Sequence, residues 1–169
     1  MSSGNSQLIL GGRRSGKSAY AETLALKTGL PKTYLATSRA YDADHAARIA
    51  VHRERREGQG WTVVETPDPL ALQDQLLKLA NQEQVVLVDC LSMWLNNLFL
   101  DEIDMPTLTL PKGQAQFIFV SMEVGQGLHP ETSLGRRYAD ALGTLNQAIA
   151  AQADRVTFIA AGLPLVLKG

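Results

Sequence analysis

Apolar and polar residues along this chain form short blocks that switch between two periods. Leu8-Ile9-Leu10 is a compact apolar run, followed by a glycine-rich stretch and then by Ala19, Leu24 and Ala25 at helix-compatible spacing. Thr33-Tyr34-Leu35-Ala36, set off by Gly29 and Pro31, reads as a second strand. Asp42 is placed to cap a helix running to about Glu57, ended by Gly58 and Gly60. Trp61 to Glu65 is a short strand candidate. Asp68-Pro69 joins a cap to a proline at the first helical position, and Leu72, Leu76 and Leu79 carry that helix onward.

The second half repeats the alternation. Val85 to Val88 is apolar on both faces, as a central parallel strand requires. Leu91, Trp94, Leu95, Leu98 and Phe99 fall at i, i+3, i+4, i+7 and i+8 of a helix. From Asp101 to Gln116 the pattern fades, and Pro106, Pro111 and Gly113 mark loop. Phe117 to Val120 is another buried strand, and Leu134, Tyr138, Ala141, Leu145, Ala148 and Ile149 stripe a long helix. Val156 to Ala160 and Leu165 to Leu167 are closing strands, joined through Gly162 and Pro164. Strand and helix in turn predict an α/β fold: one domain over residues 1–169, a three-layer sandwich with a mostly parallel sheet and helices on both faces.

The stretch between the first strand and the first helix carries the chemistry. Gly11-Gly12-Arg13-Arg14-Ser15-Gly16-Lys17-Ser18 fits G-x-x-x-x-G-K-[ST], the phosphate-binding loop, in the strand–loop–helix context it needs. Glycines at Gly11 and Gly16 let backbone N–H groups turn onto phosphate oxygens, backed by the positive helix end. Lys17 is then expected to reach the β- and γ-phosphates, and the Ser18 hydroxyl to ligate Mg2+. Such a loop needs an acid on a neighbouring strand end, and Asp89 closes the Val85–Val88 run. It can also cap the helix that follows. The chain is expected to bind a nucleoside triphosphate.

A cationic helix adds a second feature. From Asp42 onward, His45, Arg48, His52 and Arg55 or Arg56 share one face, with Arg53 nearby. A solvated basic face is one reading; the other is that these groups meet the triphosphate. Neighbouring arginines disfavour the imidazolium, and neutral imidazole is a nucleophile, so His52 is a candidate for attack on phosphorus. Thr37 and Ser38 follow a strand end, where parallel sheets bind ligands or where they can cap the next helix. Glu65 ends another strand; Glu123, Gly125 and Gly127 follow a further one, as ligand contacts or a plain turn. His45 and His129 read as solvent or capping residues, Cys90 as a small buried side chain, and Trp61 and Trp94 as packing groups.

Composition narrows the picture in a few respects. The 169 residues are 45% hydrophobic with a net charge of −1, which offers no global electrostatic case for nucleic acid or a membrane surface. No apolar run reaches the length of a membrane helix, so no membrane insertion is expected. The one cysteine allows no internal disulfide, and Met1 to Gln7 lacks the build of a signal peptide. The expected location is the cytoplasm.

Taken together, the motifs resemble one family nearly end to end: the bifunctional adenosylcobinamide kinase / adenosylcobinamide-phosphate guanylyltransferases of cobalamin assembly. The matching pieces are GGRRSGKS at Gly11–Ser18, YLATS at Tyr34–Ser38, AARIAVHRERR at Ala46–Arg56, WTVVE at Trp61–Glu65, VLVDCLSMWLNNL at Val86–Leu98 and EVGQGLHPE at Glu123–Glu131. The resemblance implies a RecA-like phosphate-loop fold, commonly a homotrimer. It implies phosphorylation of the aminopropanol hydroxyl of adenosylcobinamide with ATP or GTP. Transfer of GMP from GTP would follow, through a guanylylated histidine at the His52 position. Nucleotide contacts implied are Gly11 to Ser18, Ala36, Thr37, Ser38, Arg53, Glu54, Arg55, Arg56, Glu65 and Asp89, with Lys17 and His52 catalytic and Ser18 and Asp89 on Mg2+. Three features depart from the family pattern: Met122 in place of an asparagine, Arg13 in place of a small residue, and a shortened stretch between Leu91–Phe99 and Phe117. Apart from the resemblance, a kinase of another small alcohol and a nucleotide-binding assembly module both remain open.

Overall fold

The computed structural model describes residues 6–169; the side chains of Asp44, His45, Arg48, His52 and Arg55 lie outside that description. Seven strands form one sheet: β1 (Ser6–Gly11), β2 (Lys32–Ala36), β3 (Thr62–Glu65), β4 (Val85–Asp89), β5 (Gln116–Met122), β6 (Arg155–Ala160) and β7 (Leu163–Lys168). Their order is β3-β2-β4-β5-β1-β6-β7. All neighbours run parallel except β6 and β7, which form an antiparallel hairpin at one edge. Five helices connect them: α1 (Lys17–Lys27), α2 (Ala43–Gly58), α3 (Leu72–Ala80), α4 (Leu91–Leu100) and α5 (Ser133–Gln152).

Strand alternation divides the core into two layers. Leu8, Val86, Val88, Phe117 and Phe119 point to the side covered by α3, α4 and α5, where Leu72, Leu76, Trp94, Leu95, Leu142 and Ile149 bury against them. Ile9, Val85, Leu87, Ile118 and Val120 point the other way, onto Ala21 and Ala25 of α1. The small residues on α1 let it lie close to the sheet, which holds the loop preceding it over the strand ends. The α2 helix packs beside β3 on the α1 side.

Sequence expectations hold for element type and shift at the ends. Trp61 precedes its strand; it is buried with its ring edge-on to Tyr34 at 6.0 Å. The β5 strand runs one residue earlier and two later than its apolar core, because pairing with β1 continues to Gly11↔Met122. Asp68 caps a short turn at Pro69–Ala71, its carboxylate accepting from Leu70 N–H. The stretch after α4 forms neither helix nor strand, yet it is firmly held. Leu108 and Leu110 are buried. The Gln73 side chain exchanges two hydrogen bonds with the Thr109 backbone. Gln152 likewise binds Leu108 carbonyl and Leu110 N–H. Side-chain amides thus do for this segment what a ladder does for a strand.

Candidate nucleotide site

Register brings the expected residues to one edge of the sheet. Ala36 on β2 lies opposite Glu65 on β3 and Asp89 on β4, so three strand ends finish in one row. In the same row Asp89 pairs with Val120 and Val120 with Ile9, so Gly11 lies two residues beyond it. The phosphate loop therefore rises past the strand ends carrying Asp89. Period two also puts Tyr34, Ala36, Val63, Glu65, Leu87 and Asp89 on the α1 face. There a cavity of about 460 Å³ is lined by Ser18, Ala19 and Glu22 of α1, by Tyr34, Ala36, Ser38, Glu65 and Asp89 from the strand ends, and by Ile49, Arg53 and Arg56 of α2.

The loop is tightly built. Gly16 takes φ +95° at the N-cap of α1, and no side chain caps this helix, which leaves its first N–H groups for a ligand. A Cβ on Gly11 would sit 2.5 Å from Ser15 Oγ and 2.7 Å from the Ile159 carbonyl. Lys17 Nζ donates to the Gly12 carbonyl at 3.2 Å, which keeps its ammonium over the loop. Ser15 Oγ is buried without a hydrogen-bond partner among the described residues. The β6–β7 turn supports the loop from behind: Gly162 N–H donates to the Ser15 carbonyl at 2.8 Å, and Gly162 Cα would meet a Cβ on Gly16 at 3.3 Å. Ala161 and Gly162 both have positive φ (51° and 79°), the geometry of a two-residue hairpin whose twist suits the strands.

Asp89 is oriented by its neighbour. The Tyr34 hydroxyl donates to Asp89 Oδ2 at 2.8 Å. Burial first, and the Asp89 charge second, push the Tyr34 phenol well above its ordinary pKa, so it remains a donor. Asp89 and Ser18 both line the cavity. Two oxygen donors beside a triphosphate suit Mg2+, which binds proteins through one or two ligands and takes the rest from phosphate and water.

On the α2 side, Ile49, Arg53 and Arg56 fall at i, i+4 and i+7 and make one stripe along the cavity. Arg56 is buried, its guanidinium 3.6 Å from the Tyr34 ring centroid and 3.3 Å from Glu22 Oε1 on α1. Arg53 is exposed and reaches Glu65 at 3.3 Å. His52 lies in α2 next to this stripe in helical register; its side chain, like those of His45, Arg48 and Arg55 on the expected basic face, lies outside the described residues.

Several expected contacts sit elsewhere. Thr37 is fully buried, with Oγ1 donating to the Cys90 carbonyl and accepting from Cys90 N–H. Its hydroxyl fastens the end of β2 to the residue following β4, and Thr37 is outside the cavity lining. Of the Gly11–Ser18 loop only Ser18 lines the cavity; Gly11 to Lys17 lie beside it, and Arg13, Arg14 and Glu54 are exposed and outside its lining. Met122 packs into the core on the α5 side, and its carbonyl accepts from Asn146, so its side chain is directed away from the loop. Glu123 closes a local turn, accepting from Gly125 N–H. Cys90 lines the cavity as well as being buried; burial, then Asp89, push its thiol up to about 11. Sequence reasoning missed Tyr34, Glu22, Ile49 and Met93. For Tyr34 a signal existed: two residues before Ala36, it must share that residue's face.

Comparison with known proteins converges on one group. The family model described as cobinamide kinase / cobinamide phosphate guanyltransferase matches residues 7–167. A bifunctional adenosylcobalamin biosynthesis protein of Pseudomonas aeruginosa, CobP, is 45% identical over 170 residues, covering 96% of each chain. Proteins named bifunctional adenosylcobalamin biosynthesis protein CobU, from Escherichia coli and Salmonella typhimurium, are each 32% identical, covering 95% of this chain and 98% of theirs. No described helix is long and apolar enough to cross a membrane.

Proposed function

Because the chain belongs to the cobinamide kinase / cobinamide phosphate guanyltransferase family, we propose that one nucleotide cavity serves both of its reactions and that His52 carries the guanylyl group between substrates. It is a bifunctional enzyme of adenosylcobalamin biosynthesis, and membership decides against a kinase of an unrelated alcohol or a passive nucleotide-binding module. The observation carrying the proposal is that Ser18, Asp89, Arg53 and Arg56 line one cavity, and that two of them come from the helix bearing His52.

In the kinase step the aminopropanol hydroxyl oxygen attacks the γ-phosphorus of ATP or GTP. The bond to the β-phosphate oxygen breaks, the nucleoside diphosphate leaves, and the hydroxyl proton goes to a base. The amides of the Gly11–Ser18 loop hold the phosphates, and Lys17 moves from the Gly12 carbonyl onto the β- and γ-oxygens. Ser18 and Asp89 would hold Mg2+, which would supply charge neutralisation at the phosphates. In the guanylyl step a His52 ring nitrogen attacks the α-phosphorus of GTP and pyrophosphate leaves. A phosphate oxygen of cobinamide phosphate then attacks that phosphorus, the phosphorus–nitrogen bond breaks, and cobinamide-GDP forms. Splitting the exchange lets the same loop stabilise both departing groups. Arg53 and Arg56 keep the nucleotide in register. Ala36 and Ser38 border the base or ribose, as does Glu65. The working assembly is a homotrimer in the cytoplasm.

The test is product analysis with adenosylcobinamide, Mg2+ and GTP. Lys17→Ala loses both products, whereas His52→Ala accumulates cobinamide phosphate and makes no cobinamide-GDP. Full guanylyl transfer by His52→Ala would rule out the covalent route through His52.

A further inference from the structure

A second cavity, of about 540 Å³, opens between the end of α4 and the first turns of α5. Its apolar surface comes from Phe99, Ile103, Met105 and Leu134. Its rim carries the carboxylates of Glu102, Asp104 and Asp140 against one cation, Arg137, whose guanidinium lies 5.9 Å from the Phe99 ring centroid. None of these residues belongs to the nucleotide cavity.

We propose that this cavity seats the corrin ring of the cobinamide substrate, an assignment that rests on the family reading above. Three observations support it. The first is chemical fit. A corrinoid offers a flat apolar macrocycle fringed by amides, with net positive charge at its cobalt centre. An apolar floor suits the ring, and a carboxylate rim accepts hydrogen bonds from amide N–H groups and opposes the charge.

The second is reach. Met93 in the nucleotide cavity and Phe99 in this one lie on the same helix, six residues apart, or about 9 Å along its axis. The amide-linked aminopropanol arm, at the rise of extended chain, spans about 8 Å. The length of the arm thus matches the axial separation of the two cavities along α4. The third is local geometry. α4 ends with Glu102 N–H on the Phe99 carbonyl and Ile103 N–H on the Leu98 carbonyl, a closing pattern in which glycine is the usual left-handed residue. Glu102 holds that position with φ 54°. A glutamate kept where glycine is easier suggests a use for its side chain, which borders the cavity. The chain just beyond Met105 is braced by Gln73 and Gln152 at Thr109 and Leu110, which restrains the segment that follows the cavity.

The experiment measures adenosylcobinamide binding by equilibrium dialysis, read from its visible absorbance, beside GTP affinity and oligomeric mass. Leu134 is 59% exposed, so Leu134→Glu leaves the core intact; Glu102→Gly removes a carboxylate and relieves backbone strain. Leu134→Glu should weaken adenosylcobinamide at least tenfold and Glu102→Gly about threefold, with GTP affinity within twofold of wild type and Glu102→Gly at least as heat-stable. Unchanged adenosylcobinamide affinity in both variants overturns the proposal. So does a changed oligomeric mass in Leu134→Glu with affinity retained, which would make the surface a subunit contact. If wild type binds GTP and no adenosylcobinamide, the family reading of the substrate falls, and this assignment with it.

Discussion

The Tyr34 hydroxyl donates to Asp89 Oδ2 at 2.8 Å across adjacent parallel strands, fixing a carboxylate that lines the same cavity as Ser18. Tyr34→Phe keeps the ring and removes the donor. The loss of a hydrogen bond to a charged acceptor costs about 1–2 kcal/mol. We expect a small fall in Tm and a severalfold weaker apparent affinity for Mg2+, read from the metal dependence of GTP turnover. An unchanged metal dependence would show that Asp89 does not need this partner.

Arg56 joins three elements, α2, the Tyr34 ring on β2 and Glu22 on α1. Arg56→Ala removes a desolvated cation–π contact and strips Glu22 of this guanidinium, a loss of about 2–3 kcal/mol. Lysine restores charge without the planar stack, so Arg56→Lys should recover less than half of that stability. Urea unfolding of the two variants measures the difference, and GTP affinity should fall in parallel.

The phosphate loop tolerates no side chain at its two framing glycines. Gly11→Ala forces a Cβ to within 2.7 Å of the Ile159 carbonyl, a backbone atom that cannot rotate away. Gly16→Ala places a Cβ on a residue at φ +95°. Each should cost about 1–3 kcal/mol. Each should also weaken GTP at least tenfold, since the same backbone must present its N–H groups. Calorimetric titration with GTP checks both.

Alkaline pH should loosen the fold through Cys90. Its thiol is pushed from 9.0 to about 11, chiefly by burial and then by the Asp89 charge. The native state thus holds the thiol proton more tightly than the unfolded chain does. This contribution is complete below pH 9 and is lost as pH rises through 11, a fall of about 2–3 kcal/mol. Tyr34, also raised, acts in the same direction at higher pH. Urea midpoints at pH 8 and pH 10.5 should diverge in wild type, and by a smaller amount in Cys90→Ala, where the raised Tyr34 and Tyr138 remain.

Much of this was legible in the residues. The Gly11–Ser18 loop, the doubly buried Val85–Val88 run and the α4 stripe carry strong local signals, and each lies where its pattern placed it. What the residues could not tell is which groups share a partner. Thr37 looked like a ligand contact because it follows a strand end; only the crossing of β4 beside β2 shows its hydroxyl bound to Cys90. The Asp101–Gln116 stretch looked unstructured because it has no period, yet Gln73 and Gln152 brace it through contacts 36 and 42 residues away in sequence. Gly162 and Pro164 signalled the β6–β7 turn, but nothing in the residues tells that Gly162 N–H reaches the Ser15 carbonyl.

The central claim is that the α2 helix delivers a guanylyl acceptor to the cavity lined by Ser18 and Asp89 beside the phosphate loop. The most direct test exposes the protein to Mg2+ and GTP labelled at the α- or the γ-phosphate. Label retained on protein is then scored for acid lability and base stability, the signature of a phosphorus–nitrogen bond. The account predicts label from the α position alone, absent in His52→Ala and retained in Tyr34→Phe. Label from the γ position, or α-label that survives in His52→Ala, would contradict it.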